Sequence, residues 1–474
     1  MNTQATLSLT LFCLLTSTFA NAQSYFGLRS DNYAGIHGVL LNPAELGNSR
    51  TSFELNLASA SVLVSNDYLT VDLSSDLLDD PEIFWEESVV RNPQSDNRLN
   101  GTVDIVGPSL MFRAGKKAGL AFSTRVRGLY QVNNFSGQLL EGVRSNFDAF
   151  DAFNFDMSNQ TSFLHTYLEA GFSYGTVMIE GLQSQLKIGG TVKYLQGLGA
   201  SYSASQSLVG DYDGDRDRVN LDGDFLYGST TNYDYEEIEF GDLTSGFGFD
   251  IGVAYEWWSE RLPDSPYLPA YRFKVAASIT DIGSIGYESA EQVSYLVSGS
   301  LRADEVEGEG VEYILEGNYD GAESTTTIDA GLPTSLNLMA DYRVTGKLYV
   351  SAILNKSLRG KEDLNVSSFP TMVAITPRFQ TKAFGLYTPI VFGGHSGPTI
   401  GAGLRLWMLT IGSGSLLTDL VMGDSPYSTD VYVGVKLPFY RRSKPGKKDL
   451  ERLKETEEEA AKPGSIEEGT EVKE

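Results

Sequence analysis

Apolar and polar residues alternate along most of this chain at the two-residue period of β-strands. In the stretch 246–258 one face is apolar and rich in aromatic residues, namely Phe247, Phe249, Ile251, Val253, Tyr255 and Trp257. The opposite face carries small residues with Asp250 and Glu256. A soluble sheet with one wet face shows the same period. The repeated combination of a lipid-like aromatic face and a charged face is typical of a transmembrane β-barrel.

The alternation predicts an all-β fold, an antiparallel barrel of about fourteen strands. The predicted strands are 52–64, 99–113, 117–131, 162–178, 185–205, 246–258, 270–282, 334–343, 347–357, 367–379, 384–393, 399–406, 408–416 and 429–439. Connections that lead from an odd-numbered predicted strand to the next strand are mostly long, and 394–398 is the short exception; the long ones are 65–98, 132–161, 206–245, 283–333, 358–366 and 417–428. Connections that lead from an even-numbered strand to the next are short. Outer-membrane barrels show this asymmetry, with short periplasmic turns and long outer loops.

Charged residues of both signs fall on the inward faces of these strands by parity. They are Arg125, Arg127, Glu169, Lys187, Lys193, Asp250, Glu256, Arg272, Lys274, Asp281, Asp341, Arg405 and Lys436. An Arg or Lys facing lipid at the bilayer midplane costs about 2–4 kcal/mol, so we expect these residues in the lumen. Two interpretations of these charges stay open. They form interior ion pairs that hold the barrel wall, or they line a path for a substrate.

The two ends of the chain differ in composition from the barrel, which the pattern bounds at 50–440. The apolar run from Leu7 to Phe19, followed by Ala20-Asn21-Ala22, predicts a signal peptide over 1–22. Cys13 lies inside it after Phe12, so no lipid anchor is expected and the mature chain has no cysteine. Residues 23–49 are rich in turn formers and predict a plug in the lumen, the alternative being a disordered leader. Residues 441–474 are highly charged and predict a solvated periplasmic tail, or one that binds a periplasmic partner.

Other chemistry is sparse in the sequence. The net charge of −26 argues against nucleic-acid binding, and no later stretch reaches the roughly 20 apolar residues of a membrane helix. His37, His165 and His395 show no metal-ligand spacing. The glycines Gly246, Gly248 and Gly252 stand inside a strand and open no helix, so a phosphate-binding loop is not expected. We therefore expect no enzyme activity and no resident cofactor.

One acidic stretch in the connection 206–245 resembles a calcium loop. Asp211, Asp213, Asp215, Asp217 and Asp222 occupy positions 1, 3, 5, 7 and 12 of an EF-hand-like spacing. Two features depart from that loop, because Arg216 replaces the turn glycine and Asp222 replaces the longer glutamate. The alternative is an acidic, solvated outer loop stabilised by Arg216 and Arg218.

The tripeptide Asn42-Pro43-Ala44, preceded by Gly35-Ile36-His37-Gly38, resembles the N-terminal hatch motif of FadL-type outer-membrane transporters and of the related PorV-like barrels. The strand 246–253 and the stretch 279–283 are also similar to that superfamily. The opening residues 30–38 most resemble an uncharacterised branch typical of Bacteroidota. The resemblance implies a barrel in the bacterial outer membrane, with the N-terminus folded into the lumen and Asn42, Pro43 and Ala44 in the hatch.

The resemblance implies two functions from different classes. FadL-type members pass hydrophobic molecules, so the first expectation is a barrel that admits small hydrophobic molecules past its hatch. PorV-like members dock or shuttle proteins in secretion, so the second expectation is a scaffold that transports nothing. The expected partners are membrane lipid, a hydrophobic small molecule, and, under the second expectation, periplasmic or secretion-system proteins.

Overall fold

In a computed structural model, the described residues are 25–71, 89–145, 147–148, 150–230, 243–258, 271–306, 311–360, 364–393, 397–418 and 428–440. The predicted signal peptide, the charged tail and His395 lie outside the described residues. No helix in the described ranges is long and apolar enough to cross a membrane.

Strands make up most of the described chain. They are β1 (Thr51–Asn66), β2 (Leu69–Val71), β3 (Val89–Arg91), β4 (Asn97–Val106), β5 (Ser109–Ala114), β6 (Ala118–Phe135), β7 (Ala152–Asp156), β8 (Gln160–Glu180), β9 (Ser184–Ser205), β10 (Val209–Asp213), β11 (Arg218–Ser229), β12 (Ser245–Trp257), β13 (Phe273–Arg302), β14 (Gly321–Gly331), β15 (Ser335–Arg343), β16 (Leu348–Ser357), β17 (Met372–Gln380), β18 (Phe384–Tyr387), β19 (Ile390–Gly393), β20 (Thr399–Ile400), β21 (Ala402–Leu406), β22 (Leu409–Ser413) and β23 (Ser428–Tyr440). The helices are α1 (Phe26–Arg29), α2 (Ile36–Leu41), α3 (Gly137–Arg144), α4 (Ala303–Val306) and α5 (Val311–Asn318), with a 3-10 turn at Pro43–Leu46.

Fourteen wall strands close into an antiparallel barrel. Three of them are interrupted, so that each consists of two labelled strands. These are β4 with β5, interrupted at Gly107-Pro108, β18 with β19, interrupted near Pro389, and β20 with β21, interrupted at Gly401. The last strand returns to the first, with Val62 opposite Val431 and Phe53 opposite Phe439, and this pairing closes the ring. The predicted all-β barrel of fourteen antiparallel strands is confirmed.

The two faces of the wall differ in the way the alternation predicts. Outward-facing side chains are apolar and exposed, for example Phe247, Ile251 and Val433. Inward-facing side chains are polar and buried, with Ser, Thr and Asn alternating with charges. This is the arrangement of an outer-membrane barrel, which presents hydrocarbon-like surface to lipid and keeps polar groups inside.

The connections 206–245 and 283–333 are not the loops that the sequence predicts. β13 continues past the predicted end at residue 282 to Arg302, and it pairs with β11 and β14. The strands β11, β13 and β14 form a five-stranded antiparallel sheet together with β7 and β10, in the order β7-β10-β11-β13-β14. We call this sheet the outer sheet. The abundance of Asp, Ser and Gly in these strands conceals their two-residue period. The aromatic cluster beneath them, which includes Phe147, Phe155 and Tyr212, supplies the missing apolar face.

Candidate functional site

Residues 25–48, here called the N-terminal segment, pack against the inner face of the barrel. Their apolar side chains Leu28, Ile36, Val39, Ala44 and Leu46 are almost completely buried. The reversal between α1 and α2 occurs at Gly35, whose φ of 65° suits glycine. A side chain at Gly35 would also collide with the Glu54 carboxylate, 1.9 Å from an ideal Cβ.

The tripeptide Asn42-Pro43-Ala44 forms the turn that the sequence predicts. Asn42 Oδ1 accepts a hydrogen bond from Ala44 N at 2.9 Å. Asn42 Nδ2 donates to the carbonyl oxygens of Val253 and Ala277, at 3.1 Å each. Pro43 begins the 3-10 turn, where a missing N–H costs nothing. One side chain therefore caps its own turn and binds the backbone of two wall strands.

Glycines on three adjacent wall strands let the turn approach the wall closely. An ideal Cβ on Gly175 would lie 2.5 Å from Pro43 O, one on Gly189 would lie 2.4 Å from Pro43 C, and one on Gly252 would lie 2.0 Å from Asn42 Oδ1. We call these three residues the glycine cradle. Strand parity indicates a small inward-facing residue at Gly252, but sequence gives no signal that these glycines share one contact.

Ion pairs attach the N-terminal segment to widely separated strands. Asp31 accepts from Arg405 Nε at 2.8 Å and from the Tyr387 hydroxyl. Burial alone would raise the pKa of Asp31, but Arg405 and the Tyr387 hydroxyl hold it below its usual value. Glu45 lies 2.9 Å from Lys274 Nζ.

Lys436 binds the segment through its backbone. Its ammonium group donates to the carbonyl oxygens of Tyr33 and Ala34, at 2.9 and 2.7 Å. It also lies 3.0 Å from Glu54 on β1, whose other carboxylate oxygen accepts from Ile36 N at 2.9 Å. Lys436 and Glu54 thus hold both sides of the reversal at Gly35.

A second set of charges lies on the wall, and we call it the lumen ion cluster. Its cations are Arg125, Arg127 and Lys193, and its anions are Asp104, Glu169, Asp250 and Asp281. Lys193 Nζ lies 2.6 Å from Asp281, 2.8 Å from Asp250 and 3.7 Å from Glu169. Arg125 binds Asp104 at 2.7 Å, and Arg127 lies 2.9 Å from Asp281. Each of the three cations thus lies within ion-pair distance of at least one of the four carboxylates, which offsets part of the cost of burying these charges.

Twelve of the thirteen predicted inward charges are buried on the inner face. They are Arg125, Arg127, Glu169, Lys187, Lys193, Asp250, Glu256, Lys274, Asp281, Asp341, Arg405 and Lys436. Two further ion pairs involve residues of this group. Lys187 lies 2.6 Å from Glu256, and Asp341 lies 2.5 Å from Arg378. These contacts are those expected if the inward charges form interior ion pairs.

Arg272 is the exception, and its inward placement is wrong. Its guanidinium carbon lies 4.8 Å from the centre of the Tyr342 ring, on the outer surface, and it donates to the Tyr342 hydroxyl. Arg272 precedes Phe273, the first residue of β13, so strand parity does not extend to it.

The inner face also carries Glu54, Asp104 and Arg378, which are not among the thirteen predicted charges. Each lies on the polar face of a predicted strand, so the same parity argument would have found them.

The acidic stretch 211–222 is a β-hairpin and not a calcium loop. Asp211 and Asp213 lie on β10, Asp222 pairs with Val209 at the far end of the hairpin, and the turn holds Asp215 and Asp217. Asp213 is paired with Arg216 at 3.1 Å. The extended strands separate the five carboxylates, and the described residues contain no group of three or more His, Cys, Asp or Glu placed to hold a metal ion.

Two buried histidines form hydrogen bonds with hydroxyl groups. His37 Nε2 lies 3.1 Å from Ser59 Oγ, and Ser59 donates to Asn56 Oδ1 at 2.9 Å. His37 must therefore donate to Ser59, which is the reverse of a general base that activates a serine. Burial, together with Lys436, lowers the pKa of His37 well below its usual value, so its ring stays neutral. His165 Nε2 lies 3.1 Å from the Tyr287 hydroxyl.

At the end of the barrel that carries the long connections, the lumen is filled by apolar side chains. We call this group the mouth cluster. Its largest members are Leu129, Phe163, Tyr167, Leu195, Tyr202, Ile285, Tyr287, Ile328 and Leu332, and Phe369 packs against it. A polar cavity of about 60 Å³, lined by Arg29, Asp104, Arg127 and Asp281 among others, has room for a few water molecules. The lumen thus changes along the barrel axis from an apolar mouth to a charged interior and then to the N-terminal segment.

The closed fourteen-stranded wall, its apolar outer face and its charged lumen define an outer-membrane β-barrel protein. The chain belongs to the family described as "Family of unknown function (DUF5723)", which matches residues 43–414. No curated protein matches the chain.

Several solved barrels are similar to this chain. The Pseudomonas putida toluene transporter TodX is 10% identical, with 88% of this chain and 98% of that chain covered and a TM-score of 0.41. A Pseudomonas aeruginosa FadL homologue is 11% identical, with coverage of 85% and 91% and a TM-score of 0.36. The translocator domain of the autotransporter NalP from Neisseria meningitidis is 10% identical, with coverage of 89% and 100% and a TM-score of 0.32. Likeness at this level concerns the barrel and carries no argument about function. The resemblance to a Bacteroidota branch stays a prediction.

Proposed function

We propose that this protein is a bacterial outer-membrane barrel that admits small hydrophobic molecules, with its N-terminal segment as the hatch. The mouth cluster is the observation that carries the proposal. Most inward-facing positions of the wall are polar, whereas the mouth cluster joins apolar and aromatic side chains of the wall strands β6, β8, β9 and β13 with those of β14 from the outer sheet. A hydrophobic molecule that separates these side chains keeps apolar contacts, whereas a polar solute loses its hydration there.

The hatch role rests on how the N-terminal segment is held. Its elements are short, and they bind the wall through side-chain contacts such as Asp31 with Arg405 and Glu45 with Lys274. Such contacts break and re-form without unfolding the wall, whose strands are joined by backbone ladders. Opening therefore moves the segment and leaves the lumen ion cluster in place.

A scaffold that transports nothing is the second candidate, and one observation favours it. The side chains of the mouth cluster are buried, and the polar cavity lined by Arg29, Asp104, Arg127 and Asp281 measures about 60 Å³. A barrel closed at both levels suits a protein that presents its outer sheet to partners. The two candidates differ in whether the closure opens.

Solute uptake distinguishes the two functions. Purified protein is placed in vesicles with lipopolysaccharide in the outer leaflet, which slows passive entry of hydrophobic molecules, and uptake of a naphthylamine dye is followed by fluorescence. In parallel, a variant that lacks residues 23–49 is tested for conductance in planar bilayers, after heat-modified gel migration shows that its barrel is folded. We expect dye uptake by the full chain and conductance by the deletion variant. Neither uptake nor conductance is the result that a scaffold gives.

A further inference from the structure

The outer sheet ends in a strand with a long accessible edge. On one side β14 pairs with β13, from Tyr295 opposite Gly321 to Ser284 opposite Gly331. On the other side the described chain meets β14 only at its end, where Gly331 bridges Val366. In an antiparallel sheet about every second residue of such an edge presents its N–H and C=O groups outward. The edge from Gly321 to Ile328 is about 23 Å long at strand spacing.

The sequence of this edge favours pairing with another strand. Ser324-Thr325-Thr326-Thr327-Ile328 is a run with four β-branched residues, and the strand contains no proline, lysine or arginine. Proteins that protect an exposed edge use short strands, proline, β-bulges or charged side chains, above all lysine. Residues Gly321 to Thr325 are nevertheless exposed. The edge therefore lacks proline and lysine, and its protection against strand addition consists of the acidic side chains Glu323 and Asp329.

Charges around the edge indicate which strand it accepts. Glu323 and Asp329 lie on the same face of β14 as Thr325 and Thr327, and Glu291 on β13 pairs with Thr325 on that face. None of these three carboxylates belongs to an ion pair within the described ranges. Two copies of β14 paired antiparallel about Thr326 would set Glu323 opposite Asp329, and like charges directly opposite each other destabilise a sheet.

We propose that the β14 edge binds an extended segment of a partner protein that carries Lys or Arg at alternate positions. Backbone hydrogen bonds add the segment to the outer sheet as a sixth strand, and its basic side chains face Glu323, Glu291 and Asp329. The site is independent of solute passage through the lumen.

A synthetic heptapeptide, Thr-Lys-Thr-Lys-Thr-Lys-Thr, tests the proposal on the full folded protein in detergent, by fluorescence anisotropy at 150 mM salt. Two further peptides are methylated on backbone nitrogens, the first at every lysine and the second at every threonine. In an added strand the backbone N–H groups of only one of these two sets of residues point toward β14, and those of the other set point away. We expect one methylated peptide to bind at least about tenfold more weakly than the parent and the other to bind like the parent. Equal affinity of all three peptides would overturn the proposal.

A pair of protein variants tests the charges separately. Glu323→Gln with Asp329→Asn should weaken binding of the parent peptide about tenfold. The control, Asp215→Asn with Glu316→Gln, removes two exposed charges elsewhere on the loops and should change affinity less than twofold. Equal losses in both variants would mean general attraction to an acidic surface, which contradicts the site. A dimer in analytical ultracentrifugation that Thr325→Lys dissociates would identify a second copy as the occupant and also contradict it.

Discussion

Many charged residues inside the barrel occur in ion-paired sets, and Lys193 shows what one member contributes. Its ammonium group contacts three carboxylates on three other strands, and the residue is only 1% exposed. Removal of one partner from such a set leaves the remaining charges unpaired in a poorly solvated place. The cluster therefore stabilises the wall only when it is complete.

Lys193→Met should lower the free energy of unfolding by about 3–5 kcal/mol. Urea unfolding of the folded protein in detergent, followed by tryptophan fluorescence, measures the change. Lys116→Met, in an exposed turn, is the matched control and should change it by less than about 0.5 kcal/mol. A loss at Lys193 as small as that of the control would mean that the carboxylates are not held in the described geometry.

The glycine cradle gives a second test at single residues. Gly252→Ala places a methyl group where Asn42 Oδ1 lies, 2.0 Å from the new carbon, so Asn42 must leave its contacts with Val253 and Ala277. Hydrogen exchange of residues 36–46 should become about tenfold faster. Gly286→Ala, with nothing within 4 Å of its new carbon, is the control and should leave exchange unchanged. Unchanged exchange in Gly252→Ala would show that the turn does not rest on β12.

Parity predicts which residues point into the lumen, but sequence does not predict which of them meet. Arg127 on β6 binds Asp281 on β13, and these strands are not neighbours in the wall. Their contact depends on strand tilt and on the bends of the chain at Asp281, whose φ is 60°. Neither quantity has a pattern in the sequence.

At the scale of elements, aromatic packing holds the outer sheet together. Phe147 is 1% exposed, and its ring stacks on Tyr212 with centroids 4.5 Å apart. The same cluster joins the connection after β6 to β10 and β13. The outer sheet thus has an aromatic core of its own, and it is joined to the barrel wall where β11 pairs with β9 and where β13 and β14 enter the mouth cluster.

Phe147→Ala should therefore loosen the outer sheet and spare the barrel. Loss of a buried phenylalanine costs about 3–5 kcal/mol, here confined to the unit that the ring packs in. Hydrogen exchange should become much faster in residues 152–156 and 209–222 and stay the same in β15 and β16. A matched loss of protection in the wall strands would mean that the outer sheet and the barrel unfold together.

The extension of β13 shows the limit of prediction for elements. Residues 283–302 continue the strand after a bulge between Ile279 and Ile282, where Asp281 has a φ of 60°, and the strand bulges again near Ser289, where φ is 61°. Each irregularity shifts the alternation by a residue, so the pattern that identifies residues 270–282 is lost beyond them. The carboxylates of 211–222 mislead for a related reason, because their spacing fits both a loop and the exposed positions of a hairpin.

For the whole molecule, strand number and order follow from the alternation and the lengths of the connections. The short turns after β5, β8, β15 and β17 and at Trp407 lie close to where the sequence predicts them. The wall is therefore largely predictable. The interior is not, because the contacts of residues 25–48 join positions up to several hundred residues apart, as in Asp31 with Arg405.

A reversible covalent lock tests most directly whether the N-terminal segment is the hatch. An ideal Cβ on Gly252 would lie 2.8 Å from Asn42 Cγ, so cysteines at these two positions are within reach of a disulfide. The mature chain has no other cysteine if the signal peptide is removed as predicted. The control pair, Ala340→Cys with Ala352→Cys, links two directly opposed residues of neighbouring wall strands.

Dye uptake into lipopolysaccharide vesicles is measured before and after reduction of each disulfide. We predict that oxidised Asn42→Cys with Gly252→Cys takes up dye at least about tenfold more slowly than the reduced form, and that the control pair is unaffected by reduction. Equal uptake by the locked and reduced forms would contradict the account, because solute would then pass without movement of the N-terminal segment.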